Sequence, residues 1–400
     1  MRAVIIGGGA AGMAAAIMAA KGGARVTVLE RMDRVGKKLL ATGNGRCNLM
    51  NRGQQSYPGG GDFARQVLAR YGAAEQECFW RELGLRLREE DGGRVYPVSG
   101  QASSVLDALR LGMERAGVQT ETGVAVDALR RGKDGFTIGA GDRQWQAERV
   151  ILAGGGCAQP KLGSDGSLWP LAQAMGHHLR TPRPALTQIT TDTAPIRGLG
   201  GIRVKAEVTA MRGGRVLHQE AGEVLFADYG VSGVCVMGTA RYVDKGCTLR
   251  INMLPGMAFA DGQEAQEEFM RRRTAWAGQP MDALLTGLCV PRLGAALCRQ
   301  AGIQWKDRRI GSLTRQEASA LAETLGGFPL RVTGVKGFET AQVTSGGLDT
   351  AEFFAETMAS RLVPGLYAAG EMLDVDGACG GFNLMFAFGS GMLAGRSAAE

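Results

Sequence analysis

The chain has 400 residues, of which 45% are hydrophobic and 21% are charged, and its formal net charge is +7. This length and composition predict a folded protein of two or three domains and exclude a collagen-like chain. The sequence contains no run of 18 apolar residues that could form a transmembrane helix. The basic charge comes with no recognisable RNA- or DNA-binding module, and a run such as Arg271–Arg273 lies in helical sequence, where a solvated face is the simplest interpretation.

The N-terminal segment predicts one βαβ unit. Residues 3–6 form a short apolar run that is typical of a buried parallel strand. Residues 10–21 are rich in alanine and lack proline, which predicts a closely packed helix, and residues 25–30 form a second strand. A unit of this kind begins a doubly wound α/β fold.

The loop between this strand and helix carries a dinucleotide-binding fingerprint, Gly7-x-Gly9-x-x-Gly12. Gly7 permits a tight turn, Gly9 lets the backbone approach a pyrophosphate, and Gly12 lets the helix pack on the strand. The helix N-terminus presents free N–H groups to the phosphates. Glu30 ends the second strand, where its carboxylate can accept hydrogen bonds from ribose hydroxyls. The fingerprint fits NAD as well as FAD.

The remaining elements are predicted from periodicity and turn residues. Helices are predicted at 62–71, 101–116 and 167–176, and strands at 118–126, 135–140 and 149–153. Antiparallel strands are predicted over 187–252, helices over 261–325, further strands at 330–343 and 364–370, and a last helix from near Asn383. The predicted domains are a dinucleotide-binding domain of 1–186 and 336–400, a β-rich insertion at 187–255 and a helical insertion at 256–335.

FAD is favoured over NAD by the rest of the chain. A second complete fingerprint is missing, since the glycines at 154–156 lack the downstream acid. The glycine-rich strand end at 364–371 suggests that the C-terminal segment folds back against the N-terminal loop. A cofactor that reaches from that loop to the C-terminal segment is more consistent with FAD than with a diffusible nicotinamide.

A second candidate cofactor segment is Thr42-Gly43-Asn44-Gly45-Arg46-Cys47-Asn48. Its backbone N–H groups and asparagine side chains can bond the flavin ring, and Arg46 can offset negative charge. A plain surface turn is the alternative. Lys38 lies just before this segment and can meet phosphates, although a solvated lysine is an equal interpretation.

A third candidate segment runs from Asp374 to Asn383. Gly380 and Gly381 precede a helix start, which predicts N–H groups directed at an anion such as the N1–C2=O edge of a reduced flavin. The alternative is a plain helix cap at Asn383.

In combination these motifs resemble a bacterial flavoprotein family that contains aminoacetone oxidase and 3-dehydro-bile-acid Δ4,6-reductase. The matching segments lie at residues 7–12, 36–48, 93–99, 152–156, 343–348, 365–377 and 380–383. The resemblance implies a doubly wound FAD domain interrupted by an insertion with a β-barrel part and a helical part. The predicted cofactor-binding residues are Gly7, Gly9, Ala10, Ala11, Gly12, Glu30, Arg31, Lys38, Thr42, Gly43, Asn44, Arg46, Cys47, Asn48, Val126, Ala153, Gly154, Gly155, Gly370, Glu371, Gly381, Phe382 and Asn383.

The chain departs from the family pattern in the insertion. The family usually has a Thr-His pair before Gly-x-Ser-Gly-Pro, whereas this chain has Asp228 in place of the histidine and no proline. Asp228 and Tyr229 are therefore the candidate catalytic proton donors, with a structural role as the alternative for each. Cys47 and Cys379 are candidates for a redox pair with the flavin, with small packing residues as the favoured interpretation. No metal site is predicted.

The predicted function is that of an FAD-dependent oxidoreductase. The leading hypothesis is a reductase in which NADH or NADPH transiently reduces FAD, which then reduces an activated C=C bond in a steroid- or bile-acid-like enone. One alternative is an amine oxidase that uses oxygen, and another is a flavin-dependent RNA-modifying or RNA-binding protein. The scattered cysteines predict a reducing cytoplasm, and the expected partner is a small, apolar substrate rather than nucleic acid or a membrane.

Overall fold

The computed structural model describes residues 1–400 and divides into two compact units. The first unit consists of Met1–Pro184 and Ala341–Glu400, and the second consists of Ala185–Thr340. None of the helices combines the length and the hydropathy needed to cross a membrane.

The secondary-structure elements are numbered in chain order. The strands are β1 Arg2–Ile6, β2 Arg25–Glu30, β3 Met50–Asn51, β4 Leu87–Glu90, β5 Arg94–Pro97, β6 Gln119–Thr122, β7 Ala128–Arg131, β8 Phe136–Ala140, β9 Arg143–Ala147, β10 Arg149–Leu152, β11 Leu179–Ala185, β12 Ile189–Thr191, β13 Arg203–Arg212, β14 Arg215–Ala227, β15 Gly230–Ser232, β16 Thr248–Asn252, β17 Phe328–Val335, β18 Val343–Leu348 and β19 Leu366–Ala368. The α-helices are α1 Ala10–Lys21, α2 Lys37–Ala41, α3 Gly61–Leu68, α4 Ala73–Glu82, α5 Ala102–Arg115, α6 Trp169–Ala174, α7 Val234–Thr239, α8 Gly262–Ala275, α9 Pro291–Gln300, α10 Arg315–Gly326 and α11 Phe382–Ala399.

A five-stranded parallel sheet forms the centre of the first unit. Its order is β19-β10-β1-β2-β6, so that β1 lies between β10 and β2. The strands β1 and β10 are buried apolar runs, as a sheet covered on both faces requires. The last strand, β19, follows the second unit in sequence and pairs with β10, with Val150 opposite Leu366. The predicted doubly wound α/β class is therefore confirmed.

The C-terminal helix α11 packs closely along α1. A Cβ atom added at Gly391 would lie 2.3 Å from the Ala11 carbonyl oxygen, and one added at Gly395 would lie 2.2 Å from the Ala15 carbonyl oxygen. Only hydrogen atoms fit between these backbones, which explains the glycines on α11 and the alanines on α1. The prediction that the C-terminal segment folds back against the N-terminal loop is confirmed.

The second unit contains a closed six-stranded barrel of order β12-β15-β14-β13-β16-β17, together with helices α7 to α10. Its final strand, β17, lies within the stretch 256–335 that the sequence pattern placed in the helical insertion. The helices α8 to α10 therefore lie between two barrel strands in sequence, because the chain returns to close the barrel. Within the stretch 261–325 that was predicted to be helical, Met281–Ala283 forms only a 3₁₀ turn.

Arg272 is buried, whereas the sequence pattern placed it on a solvated face. Its guanidinium donates hydrogen bonds to the carbonyl oxygens of Leu284 and Thr286 at 2.8 Å and forms an ion pair with Glu268 at 2.6 Å. It also lies over the Trp276 ring at 4.5 Å from the centroid. This arginine thus fastens α8 to the segment that follows it, while Arg271 remains exposed.

Candidate functional site

The glycine loop between β1 and α1 has the geometry that its fingerprint predicts. Gly7 adopts a left-handed φ of +109°, and a Cβ atom there would lie 2.5 Å from the Ala153 carbonyl oxygen. A Cβ atom at Gly12 would lie 1.9 Å from the Gly7 carbonyl oxygen, so the helix can pack here only with glycine. At Gly9, in contrast, no protein atom lies within 4 Å of an added Cβ. The loop is therefore closed on the protein side and open on the side of Gly9.

Two features at this loop suit the pyrophosphate and ribose of a dinucleotide. Helix α1 begins after Gly9 with no side-chain cap and no acidic residue in its first turn, which leaves the N–H groups at Ala10 and Ala11 for an anion. Glu30 is buried, and its carboxylate accepts hydrogen bonds from the Gly8 and Met32 N–H groups at 2.7 and 2.8 Å. Each of its oxygens keeps a further lone pair for a ribose hydroxyl.

Arg31 directly follows Glu30 in the chain, and Val126 lies in a loop whose backbone bonds to Glu30. The guanidinium of Arg31 forms an ion pair with Asp165, so its charge already has a partner within the protein. Val126 is buried in the loop after β6, where the neighbouring Val124 N–H donates to the Glu30 carbonyl oxygen at 2.9 Å. The loop that contains Val126 therefore borders the end of β2, where Glu30 lies.

Lys38 and Glu371 contact each other, with 2.6 Å between the ammonium and a carboxylate oxygen. The other Glu371 oxygen accepts from the Thr344 N–H at 2.6 Å, and the Thr344 hydroxyl oxygen accepts from the Cys157 N–H at 2.8 Å. Lys38 also lies 3.5 Å from the Ser164 hydroxyl. Four separate segments of the first unit thus meet in one polar network.

Three further predicted residues form the loop after β10, and one lies beside α1. Ala153 and Gly154 follow the strand directly, and Gly155 has a left-handed φ of +78°. The N–H of Gly370 donates a hydrogen bond to the Ser390 hydroxyl at 2.9 Å. A Cβ atom added at Gly370 would lie 2.9 Å from the Ala11 side chain. These backbone positions border the glycine loop.

The segment 42–48 has an unusual backbone. Gly43, Asn44, Gly45 and Cys47 all have left-handed φ angles, between +54° and +82°. Non-glycine residues in this region are uncommon and concentrate at functional sites. The Asn48 side-chain oxygen is buried and has no hydrogen-bond partner within the protein. A buried acceptor without a partner is costly unless a ligand supplies the donor.

Two residues of this segment, Arg46 and Cys47, make their contacts within the protein. Arg46 forms an ion pair with Glu90 at 2.5 Å and stacks 4.2 Å from the Tyr96 ring centroid, so its charge is balanced by protein. Cys47 is fully buried, and burial raises the pKa of its thiol to about 12. Since the thiolate is the reactive form, this burial argues against a redox pair with Cys379 and favours packing. The hydroxyl of Thr42 donates to the Leu39 carbonyl oxygen.

The glycines before α11 bring that helix to the 42–48 segment. Gly380 and Gly381 have left-handed φ angles of +129° and +107°, and an added Cβ at Gly381 would lie 2.8 Å from the Asn48 side-chain oxygen. Phe382 is buried, and its carbonyl oxygen accepts from the Tyr57 hydroxyl at 2.9 Å. The first turn of α11 contains no acidic residue.

The side chain of Asn383 closes the loop that precedes α11. Helix α11 begins at Phe382, so Asn383 lies in its first turn rather than at the cap. Its side-chain oxygen accepts from the Gly377 N–H at 2.8 Å, and its amide nitrogen donates to the Gly377 carbonyl oxygen at 2.9 Å. Both polar atoms of this side chain therefore hold the loop before α11, and a contact of Asn383 with FAD stays a prediction.

These residues fit FAD. The open side of Gly9, the uncapped start of α1 and the buried Glu30 suit its adenosine diphosphate end. The buried, unpartnered Asn48 oxygen suits a donor on a heterocyclic ring such as flavin N3–H.

The two candidate proton donors lie together in the second unit. Asp228 and Tyr229 form the two-residue turn between β14 and β15, in which Ala227 pairs with Gly230. Asp228 is exposed, and Tyr229 is half-buried. Burial raises the pKa of Tyr229, and a hydrogen bond from Ser232 opposes that rise.

Sequence reasoning missed the residues that hold the predicted ones in place. Thr344 lies in a segment that matched the family, whereas Ser164 and Tyr57 lie outside the matched segments, and a hydroxyl in a loop has no distinctive pattern. Asn51 donates to the Gly380 carbonyl oxygen at 2.8 Å across 329 positions of sequence. Only the fold reveals such long-range partners.

Comparison with known proteins supports the flavoprotein family that the motifs resemble. A family described as HI0933-like protein Rossmann domain matches residues 1–397. The 3-dehydro-bile acid delta(4,6)-reductase of Clostridium scindens is 40% identical, and the alignment covers 99% of this chain and 98% of that protein. The ribosomal RNA dihydrouridine synthase of Escherichia coli is 30% identical, with 97% and 95% covered.

A solved structure is also similar in part. The 3-ketosteroid-delta4-(5alpha)-dehydrogenase of Rhodococcus jostii has a TM-score of 0.47 and 17% identity, and the match covers 100% of this chain and 96% of that chain. The sequence relatives alone confirm the resemblance that the motifs indicate.

Proposed function

The chain belongs to the HI0933-like protein Rossmann-domain family and is an FAD-dependent oxidoreductase, and on that premise we propose that it uses NADH or NADPH to reduce an activated C=C bond in a steroid- or bile-acid-like enone. FAD supplies a hydride at its flavin N5 when it is reduced and bound. The chain's own residues bind and orient it.

One observation carries this proposal: the 40% identity to the Clostridium scindens reductase extends over nearly the whole of both proteins. The similarity therefore includes the inserted second unit as well as the cofactor-binding unit. We propose that the inserted unit contributes substrate-binding residues, because the predicted cofactor-binding residues all lie in the first unit. The synthases from Escherichia coli and Haemophilus influenzae are 30% and 28% identical.

Each part of the first unit has a proposed task. The glycine loop and Glu30 bind the pyrophosphate and ribose, as fingerprint geometry and the open side of Gly9 support. Asn48 and the N–H groups after Gly381 bind the flavin ring. The chain has one dinucleotide fingerprint, so the nicotinamide is proposed to act as a transient reductant.

Eight free cysteines favour a reducing compartment, and we propose the cytoplasm.

A second candidate function is reduction of uridine in RNA, which the two synthase relatives support. Uridine also contains a C=C bond conjugated to a carbonyl group, so the same hydride chemistry applies to both substrates. The lower identity of these relatives and the absence of an RNA-binding module place this candidate second. An amine oxidase is the third candidate.

Anaerobic reduction of the purified yellow protein tests the proposal. We expect NADH or NADPH to bleach the flavin and a 3-oxo-Δ4 bile acid to restore its colour, with loss of the enone absorbance. Bleaching by an amine such as aminoacetone, but by neither nicotinamide, would contradict the reductase. Restoration of colour by ribosomal RNA and by no steroid enone would favour the second candidate.

A further inference from the structure

The side-chain amide of Asn51 joins segments of the first unit that lie far apart in sequence. Its nitrogen donates to the Gly380 carbonyl oxygen at 2.8 Å and to the Gly92 carbonyl oxygen at 3.1 Å. Its oxygen accepts from the Gly53 N–H at 2.7 Å. Only 5% of the Asn51 surface is exposed, so little water competes for these bonds. Asn51 is not among the predicted cofactor-binding residues.

We propose that Asn51 is a positioning residue for the flavin. Its amide fixes the peptide between Gly380 and Gly381 so that the Gly381 N–H faces the C2=O edge of the flavin ring. This role rests on the flavin contact proposed above for the N–H groups that follow Gly381. It assigns Asn51 an effect on the reduction potential of the flavin, which Asn51 exerts through the peptide and not by contact with the ring.

The geometry of the peptide determines where the N–H of Gly381 points. A trans peptide directs its C=O and N–H groups to opposite sides, and no peptide bond of this chain is cis. Because the Gly380 carbonyl oxygen bonds to Asn51, the Gly381 N–H points away from Asn51. That N–H donates to no atom of the protein. Gly381 also directly precedes α11, where the helix dipole favours negative charge. The peptide therefore presents a donor to an electron-rich ligand group.

An acceptor lies beside this donor. The Asn48 side-chain oxygen is buried without a partner, and it lies 2.8 Å from the position of a Cβ atom added at Gly381. A neighbouring acceptor and donor match the N3–H and C2=O groups of the flavin, which are neighbours on its ring. Negative charge develops at the N1–C2=O edge when a flavin is reduced, so the bond from Gly381 favours the reduced form.

Two successive glycines make the orientation of this peptide depend on an outside contact. Gly380 and Gly381 have left-handed φ angles of +129° and +107°. Without Cβ atoms on either side, the peptide between them can rotate and exchange the directions of its C=O and N–H groups at little steric cost. The bond from Asn51 stabilises one of these orientations. Its removal should leave both populated and weaken the bond from Gly381 to the flavin.

The reduction potential of the bound FAD tests this role. The test variant is Asn51→Ser, because serine can keep the turn to the Gly53 N–H but is too short to reach the Gly380 carbonyl oxygen. We expect binding of reduced FAD to weaken about tenfold more than binding of oxidised FAD, which lowers the potential by about 30 mV. The measurement is an anaerobic reductive titration against a reference dye. Asn51→Thr keeps the same turn and replaces the serine variant if that variant does not fold.

Gln76→Leu is the matched control. Gln76 is fully buried, and its amide nitrogen donates to the Met385 carbonyl oxygen of α11 at 2.9 Å. Its loss should destabilise the packing of the same helix and leave the Gly380–Gly381 peptide in place. We expect a lower Tm, with the ratio of the two FAD dissociation constants within about twofold of the wild-type ratio.

Two results would overturn the role of Asn51. One is a wild-type potential in a folded, FAD-loaded Asn51→Ser protein. The other is an equal shift in Gln76→Leu, which would mean that any disturbance of α11 changes the potential.

The titration uses neither an enone nor a nicotinamide, so it is independent of the proposed reaction. A shifted potential in a protein that reduces no enone would support the role of Asn51 and contradict the reductase. Enone reduction by the wild-type protein, together with an unshifted potential in Asn51→Ser, would support the reductase and contradict the role of Asn51.

Discussion

Replacement of Gly9 by alanine separates cofactor binding from folding. Gly9 has a φ of −82° and a ψ of −168°, which alanine adopts without strain. The added methyl group meets no protein atom within 4 Å. The apo protein should therefore keep its stability, with a free energy of unfolding within about 1 kcal/mol of the wild-type value or slightly above it.

The same methyl group should weaken FAD binding, because it occupies the space through which the pyrophosphate approaches the backbone. Loss of that close approach predicts at least a tenfold rise in Kd, equivalent to about 1.4 kcal/mol. The assays are urea unfolding of the apo protein and fluorescence titration with FAD.

Gly262→Ala is the matched control, since Gly262 in the second unit also has no atom within 4 Å of an added Cβ. It should leave FAD affinity unchanged and should raise the free energy of unfolding by no more than about 1 kcal/mol. Wild-type FAD affinity in Gly9→Ala would refute the assignment of this loop to the pyrophosphate.

Three other predictions concern stability. Gly391→Ala places a Cβ atom 2.3 Å from the Ala11 carbonyl oxygen and should lower the free energy of unfolding by about 1–3 kcal/mol or more in urea melts, whereas an unchanged melt would mean that α1 and α11 are farther apart. Hydrogen bonds from Arg271 and Arg272 lower the pKa of Glu268 to about 2, so Glu268→Gln should cost about 1–3 kcal/mol at pH 7. That difference should be complete above about pH 4.5 and should disappear as the pH falls towards 2, so an equal cost at both ends would argue against the ion pair. Ser360→Ala removes a buried hydroxyl that contacts His177 and accepts from the Leu362 and Val363 N–H groups, and hydrogen exchange at those two amides should accelerate; unchanged protection would disprove this anchor.

Local elements of the first unit could be predicted because their pattern reflects their environment. Helix α1 and strand β2 have the predicted bounds. An alanine-rich stretch favours a helix, two glycines end it, and a β-branched run favours a strand. Helix α4 was not predicted. Its buried residues include the polar Gln76, whose amide donates to the Tyr71 and Met385 carbonyl oxygens, and a buried glutamine obscures the apolar face.

The barrel shows where a sequence pattern reaches its limit. Alternating residues over 187–252 indicate antiparallel strands, but closure depends on β17, which pairs with β12 and β16 after a long helical interval. The burial of Arg272 could not be predicted from the sequence either, because its carbonyl partners become neighbours only when α8 packs.

In the candidate site, too, some features could be predicted from the sequence and others could not. The backbone roles of Gly7 and Gly12 could be predicted, since the turn and the close packing depend on local chain geometry. The partners of the side chains could not be predicted. Arg46 forms an ion pair with Glu90, and Lys38 forms one with Glu371, which lies near the opposite end of the chain. The motif alone suggests that both charges are free for a ligand, whereas each is paired within the protein.

The central claim is that this FAD-dependent oxidoreductase reduces an enone C=C bond. Stopped-flow reoxidation of the dithionite-reduced protein under anaerobic conditions tests it most directly, because no nicotinamide is needed. Mixing with a 3-oxo-Δ4 bile acid should restore the oxidised flavin spectrum in a single turnover and yield one equivalent of the saturated 3-oxo product. A flavin that stays reduced with the enone, but is reoxidised by oxygen alone, would contradict the account.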